Sequence, residues 1–81
     1  MDISMGSIVR AKAGRDKGSY FIAVSLYENY AYICDGKRRK IEHPKKKKLI
    51  HLEVTGTIVG DFTTNRKIKK ALNEFKAESR I

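Results

Sequence analysis

Up to residue 62, glycines, a Glu-Asn break, an Asp-Gly pair and a proline cut the apolar runs of this sequence into short pieces, and after it the spacing of apolar residues changes. In "SIVRAK", residues 7–12, Val9 and Ala11 alternate with Ile8, Arg10 and Lys12. In "SYFIAVSLYE", residues 19–28, Tyr20, Ile22, Val24 and Leu26 alternate with Phe21, Ala23, Ser25 and Tyr27. A period of two marks a β-strand, whose side chains point to opposite faces in turn. Both faces of the second run are apolar, which suits a strand with a core on one side and a helix, a neighbouring strand or a ligand on the other.

The breaks between runs have their own chemistry. Gly14 and Gly18 bracket "GRDKG", and a residue without Cβ takes the positive φ that a sharp turn needs. After a short Glu28-Asn29 break, "YAYIC" runs into Asp35-Gly36 and "KRRKIEH". Asp-Gly favours a type I′ hairpin turn, so strands are expected near 30–34 and 37–42. Pro44 cannot donate to a ladder and ends the second arm, with "KKKK" as a connection. Alternation returns at Leu49, with Ile50, Leu52 and Val54 facing inward, in a fifth strand ending near Gly56 or continuing through Ile58 to Gly60. Then Ile68, Ala71, Leu72 and Phe75 stand at helical spacing behind the candidate N-caps Thr63, Thr64 and Asn65. The expected fold is mainly β: five short strands over residues 1–62 and one C-terminal amphipathic helix over residues 63–81, packed on or beside them and sharing one core.

Eighty-one residues make one small domain, since such a chain buries only about 60% of its unfolded surface and has no room for a large catalytic cleft. Cys34 is the only cysteine, and with His43 and His51 it forms no metal-ligand spacing and no nucleophile constellation. It reads as a small buried strand residue. The expectation is a protein that is not an enzyme and needs no cofactor. Lys and Arg total 18 against 9 Asp and Glu, a formal charge of +9 with pI near 9.9. Such an excess attracts polyanions, nucleic acid before a membrane surface, because no apolar run approaches the ~18 residues of a span. The opening "MDISMGSIV" lacks the basic start and long apolar core of a signal peptide, and a cytoplasmic protein is expected.

A strand ending in small and basic residues, then Gly-x-x-x-Gly, then a strongly apolar strand, resembles the KOW motif, and "GSIVRAKAGRDKGSYFIAV" follows it from Gly6 to Val24. With "YAYICDGKRRKIEHPKKKKLIHL" the chain further resembles bacterial KOW-domain proteins related to the large-subunit ribosomal protein family fourteen-e, over about residues 6–55. The resemblance implies a strongly bent SH3-like barrel and binding to RNA, commonly ribosomal RNA. It maps the motif's turn onto Gly14 through Gly18 and its basic hairpin onto Asp35 through Lys40. It assigns no role to the helix, and KOW modules also contact proteins, as in transcription elongation factors.

Lys37, Arg38, Arg39, Lys40 and Lys45, Lys46, Lys47 and Lys48 place eight of the eighteen basic residues within twelve positions, opposed only by Glu42. Lysines guarding an edge strand account for two or three such charges, not eight. Arg38 and Arg39 suit bidentate phosphate contacts or stacking, while Lys45 to Lys48 supply point charges without selectivity. Arg15 and Lys17 add a second contact if their turn shares a rim with the hairpin. Arg66 and Lys70 stand among the cations crowding the first turns of the helix, where an external anion would relieve the dipole. Tyr27 and Tyr30, which flank a turn, are the candidates for stacking on unpaired bases, although aromatics at strand spacing commonly belong to a core. The expected partner is RNA, ribosomal RNA first, with ribosomal proteins as further contacts and the protein itself monomeric. The alternative is an SH3-like adaptor that contacts a ribosomal or transcription-complex protein.

Overall fold

The computed structural model describes residues 2–78; Met1 and residues 79–81, the end of the expected helical segment, lie outside the described residues. Five antiparallel strands form one sheet: β1 (Ser7–Ala11), β2 (Tyr20–Tyr27), β3 (Tyr30–Cys34), β4 (Lys45–Lys48) and β5 (Leu52–Ile58), in the order β4-β3-β2-β1-β5. A 3-10 turn, Leu49–His51, links the edge strands β4 and β5, and helix α1 (Asn65–Glu78) follows. This is the mainly β architecture with a C-terminal helix that the strand pattern predicts, and it is consistent with the small SH3-like fold that the resemblance implies. No helix among the described residues is long and apolar enough to cross a membrane.

Apolar residues on both faces of the sheet produce two cores. On the inner face Val9, Ala11, Phe21, Ala23, Ala31, Ile33 and Leu52 pack together. On the outer face Ile8, Ile22 and Cys34 are covered by Ile68 and Leu72 of α1, with Tyr20 and Phe75 packed alongside at a ring separation of 5.3 Å. The registers Ile8↔Ile22 and Ile22↔Cys34 put the three strand residues in one row, on which the helix lies. Burying Ile68 and Leu72 is worth about 1.5–3 kcal/mol each. The Thr64 hydroxyl accepts from the Lys67 N–H at 3.2 Å and so serves as the N-cap, one of the three candidates.

Two expectations need correction. Residues 37–42 are not a strand, and Asp35-Gly36 is not a type I′ turn, because Glu28 is the only non-glycine with positive φ among the described residues. Asp35 uses its carboxylate locally: Oδ1 accepts from the backbone N–H of Lys37 at 2.9 Å and of Arg39 at 2.8 Å, which holds the chain in a loop. The second arm of the hairpin is Lys45–Lys48, expected as a connection, with Tyr30 opposite Lys48 and Ile33 opposite Lys45. An edge strand tolerates four lysines when two ammonium groups, those of Lys45 and Lys47, find partners in the fold and the other two, those of Lys46 and Lys48, face solvent. Further on, Ile50 is 74% exposed in the 3-10 turn and not inward-facing, so alternation begins only at Leu52.

Gly36 serves helix docking. At φ 76°, a Cβ there would strike the Asn65 carbonyl oxygen and lie 3.0 Å from Lys69 Cγ. Asn65 also ties the loop to the helix start, accepting the Ile41 N–H at 2.7 Å and donating to Glu42 at 2.9 Å. Gly36→Ala is expected to cost more than ~1 kcal/mol, a melting-temperature drop of at least about 4 °C, while Gly60→Ala stays near the parent. An added Cβ at Gly60 meets nothing within 4 Å. Equal melting of both variants would mean that α1 does not need this approach.

Candidate nucleic-acid interface

Three segments meet at one end of the sheet: the β1–β2 turn, the loop after β3, and the exposed flank of α1. The turn is built by its backbone. Gly18 N–H donates to Ala11 at 2.8 Å and Ser19 N–H to Asp16 at 2.9 Å, with Gly14 and Gly18 at positive φ. That geometry buries Asp16, whose side chain is 7% exposed. Its Oδ2 faces Lys45 Nζ at 3.0 Å and Arg39 Nη2 at 3.4 Å. Burial alone would raise the Asp16 pKa, but the hydrogen bond and charge of Lys45, joined by Arg39, outweigh it and leave the pKa lowered. Beside it, Lys47 is almost buried and donates from Nζ to the Ala13 carbonyl at 2.9 Å. The turn is thus fastened to β4 twice.

Beyond this fastening lies a groove of about 700 Å³ between the sheet and α1. Ser19 and Tyr20 line one side, Asp35, Lys37 and Arg38 another, and Lys69 and Lys76 of the helix the third. Asp35 already accepts two backbone hydrogen bonds, and none of the four groove cations has an ion pair among the described residues. Four unpaired cations from two elements facing one groove suit a polyanion with several charges a few ångströms apart.

The expected site residues separate into groups. Lys37 and Arg38 line the groove, and Arg15 and Lys17 are exposed on the turn that ends at its wall residue Gly18. Lys40 is exposed in the loop, and its carbonyl accepts from Cys34 Sγ at 3.7 Å. Arg39 and Lys45 are committed to Asp16, and Lys47 is withdrawn into the fold; in these three the charge fastens the turn. Lys46 and Lys48 point to the outer face of the sheet, where Lys46 Nζ stands 4.3 Å above the Tyr30 ring. Tyr30 therefore has one ring face taken, whereas Tyr27 is 59% exposed. Arg66 is exposed on the first turn of α1, and Lys70 lies in a different depression with Lys67, Asp61 and Glu74. The groove residues missed from sequence are Lys69 and Lys76. Their seven-residue separation, with Leu72 between them, was the available signal, since it aligns them on one helix flank beside a buried residue.

Cys34 carries no reactive chemistry at neutral pH. Burial, with the charges of Asp35 and Glu42, pushes its thiol up to about 11. Leu72→Ala, which uncovers it, is expected to cost about 2–5 kcal/mol and to make the thiol react with a disulfide reagent far faster than in the parent. Unchanged reactivity would place the helix elsewhere.

Asp16 gives a pH prediction. Its folded pKa is depressed, so its contribution is complete well above the unfolded value of about 3.9 and is lost as pH falls through the lowered folded value. Asp16→Asn is expected to destabilise the protein at pH 7 by about 1–3 kcal/mol, below the usual cost of breaking a fully buried pair because both cations are partly solvated. Its melting temperature should change less than the parent's between pH 5 and about pH 2; parallel acid profiles would contradict the fastening role.

Compared with known proteins, the chain matches no protein-family model and no curated sequence.

Proposed function

We propose that this chain is a non-enzymatic RNA-binding module of the KOW type that grips the phosphates of a folded RNA, ribosomal RNA first. The observation that carries this reading is the convergence of Lys37, Arg38, Lys69 and Lys76 on one groove whose lining holds a single carboxylate, Asp35, so that cations outnumber it four to one and none is ion-paired among the described residues. Arg15 and Lys17 extend the same positive end along the turn. Arg38 supplies a planar fork for a phosphate, and the lysines supply charge without sequence preference. The module acts as a monomer in the cytoplasm, with the ribosome as its site of action and ribosomal proteins as neighbours. No cofactor enters this role.

A second reading, the protein-interaction adaptor, draws on the opposite end of the sheet. There Ile3, Leu26, Leu49 and Val54 surround an open apolar depression of about 390 Å³ beside Asp2 and Glu28. The two readings differ in salt dependence. On the RNA reading, log K for a folded ribosomal RNA fragment falls steeply with log salt. Each phosphate contact removed, as in Arg38→Ala or Lys69→Ala, lowers the magnitude of that slope by about 0.7–0.9. Arg15→Ser with Lys17→Ser lowers it again while melting like the parent. A flat salt response, with parental cosedimentation on ribosomal subunits and loss of it in Leu26→Asp, would instead favour the adaptor.

A further inference from the structure

The outer face of the sheet is only partly covered by α1. The helix lies over the Ile8–Ile22–Cys34 row, and farther toward the β2–β3 hairpin and β4 the face is open in part, with Tyr27, Lys46 and Lys48 exposed and Ser25, Tyr30 and Tyr32 half-buried. A bulge in β2 between Ala23 and Ser25 decides what is displayed there. Ala23 pairs with Ile33 on the inner side, and after the bulge Ser25 pairs with Tyr32 and Tyr27 with Tyr30 on the outer side. On the neighbouring strand Tyr32 pairs with Lys46 and Tyr30 with Lys48. Directly opposed residues share a face, with Cβ atoms about 4.5–5.5 Å apart. Two transverse rows result, Tyr27–Tyr30–Lys48 and Ser25–Tyr32–Lys46. No paired position in either row is acidic; Glu28 sits in the two-residue loop beyond them.

We propose that this face is a second subsite, which takes an unpaired, single-stranded segment of the RNA held in the groove. This inference rests on the RNA-binding reading and adds to it the kind of RNA segment recognised. Rings alternating with ammonium groups complement a strand that presents π-faces and phosphates at similar intervals, and only an unpaired strand does so, because a duplex hides its bases. Tyr27, more than half exposed, is the stacking ring. Tyr30 positions Lys46 by holding its ammonium 4.3 Å from the ring centroid, and Lys48 flanks the same row at the sheet edge. The edge position leaves these lysines free to follow a backbone.

The test compares two fluorescein-labelled RNAs by anisotropy: a blunt hairpin, and the same hairpin with a 3′ oligouridine tail. The parent is expected to bind the tailed RNA about five-fold or more tightly than the blunt one, the lower end for one stacked base. Tyr27→Ala abolishes that gain and leaves blunt-hairpin affinity unchanged, Tyr27→Phe keeps it, and Lys46→Ser with Lys48→Ser reduces the gain and its salt dependence. A parent that binds the blunt hairpin and gains nothing from the tail overturns this subsite alone, including the case in which the face takes a protein. Binding to neither RNA overturns the subsite and the RNA-binding reading together. Tyr27→Ala weakening both RNAs equally, with Lys46→Ser and Lys48→Ser leaving the tail gain intact, also overturns it.

Discussion

In a chain of charge +9, the buried Asp16 carboxylate stands between two cations, Arg39 and Lys45, that would otherwise repel each other. The β1–β2 turn, the β3–β4 loop and edge strand β4 all bring cations to the same end of the sheet, and Asp16 draws Arg39 and Lys45 inward to a shared oxygen. Lys47 completes the arrangement through the Ala13 carbonyl. With those three cations satisfied internally, Arg15, Lys17, Lys37 and Arg38 are left facing outward from a fixed frame. A charged turn therefore has two parts: an acidic centre that fastens it, and basic shoulders that face solvent.

The helix has an equally double part. A sheet of five short strands offers a small inner core, and α1 adds a second one by covering Ile8, Ile22 and Cys34 from outside. The same packing places Lys69 and Lys76 along the groove wall. The contacts that secure the helix, Asn65 with Glu42 and with the Ile41 N–H, lie at its start, next to the loop that carries Lys37 and Arg38. Loop and helix are thereby held at a set spacing, so the groove cations need little ordering when an anion arrives.

Much of this was legible in the sequence where alternation and punctuation agreed. The first three strands fall within a residue or two of the expected limits and the helix begins within two, because Ile8 to Ala11 and Tyr20 to Ala23 alternate and Ile68, Leu72 and Phe75 keep helical spacing; the bulge after Ala23 then overturns the expected faces of β2, carrying Ser25 and Tyr27 to the outer side and Leu26 to the inner. The fourth strand was not legible. Asp35-Gly36 carries a strong local hairpin signal, yet the Asp35 side chain binds the following backbone, and the strand forms where Lys47 can reach Ala13 across the fold. No local rule contains that reach. The candidate site divides in the same manner: charge density singles out the segments, but only tertiary pairing separates Arg39, Lys45 and Lys47, which fasten, from Lys37 and Arg38, which face the groove. Asp16 offered no signal of its own beyond being an acid between two bases.

The place of β1 in the sheet bears on how the molecule comes together. It lies between β2 and β5, so one of its edges is satisfied at once by a neighbouring hairpin and the other only when Ser7 meets Ile58 and Ala11 meets Leu52. The final partner and the covering helix leave a ribosome after β1 and β2. During synthesis at about 5–20 residues per second, β1 therefore waits for seconds with one ladder edge open and the Ile8–Ile22–Cys34 row uncovered. Long-range closure of this kind also places refolding in the slower, millisecond-to-second class of small domains. Through that interval the basic segments Lys37 to Lys40 and Lys45 to Lys48 would repel their counterparts on other nascent chains, so the same charges that crowd one end of the finished sheet would guard its open edge from pairing with its own kind.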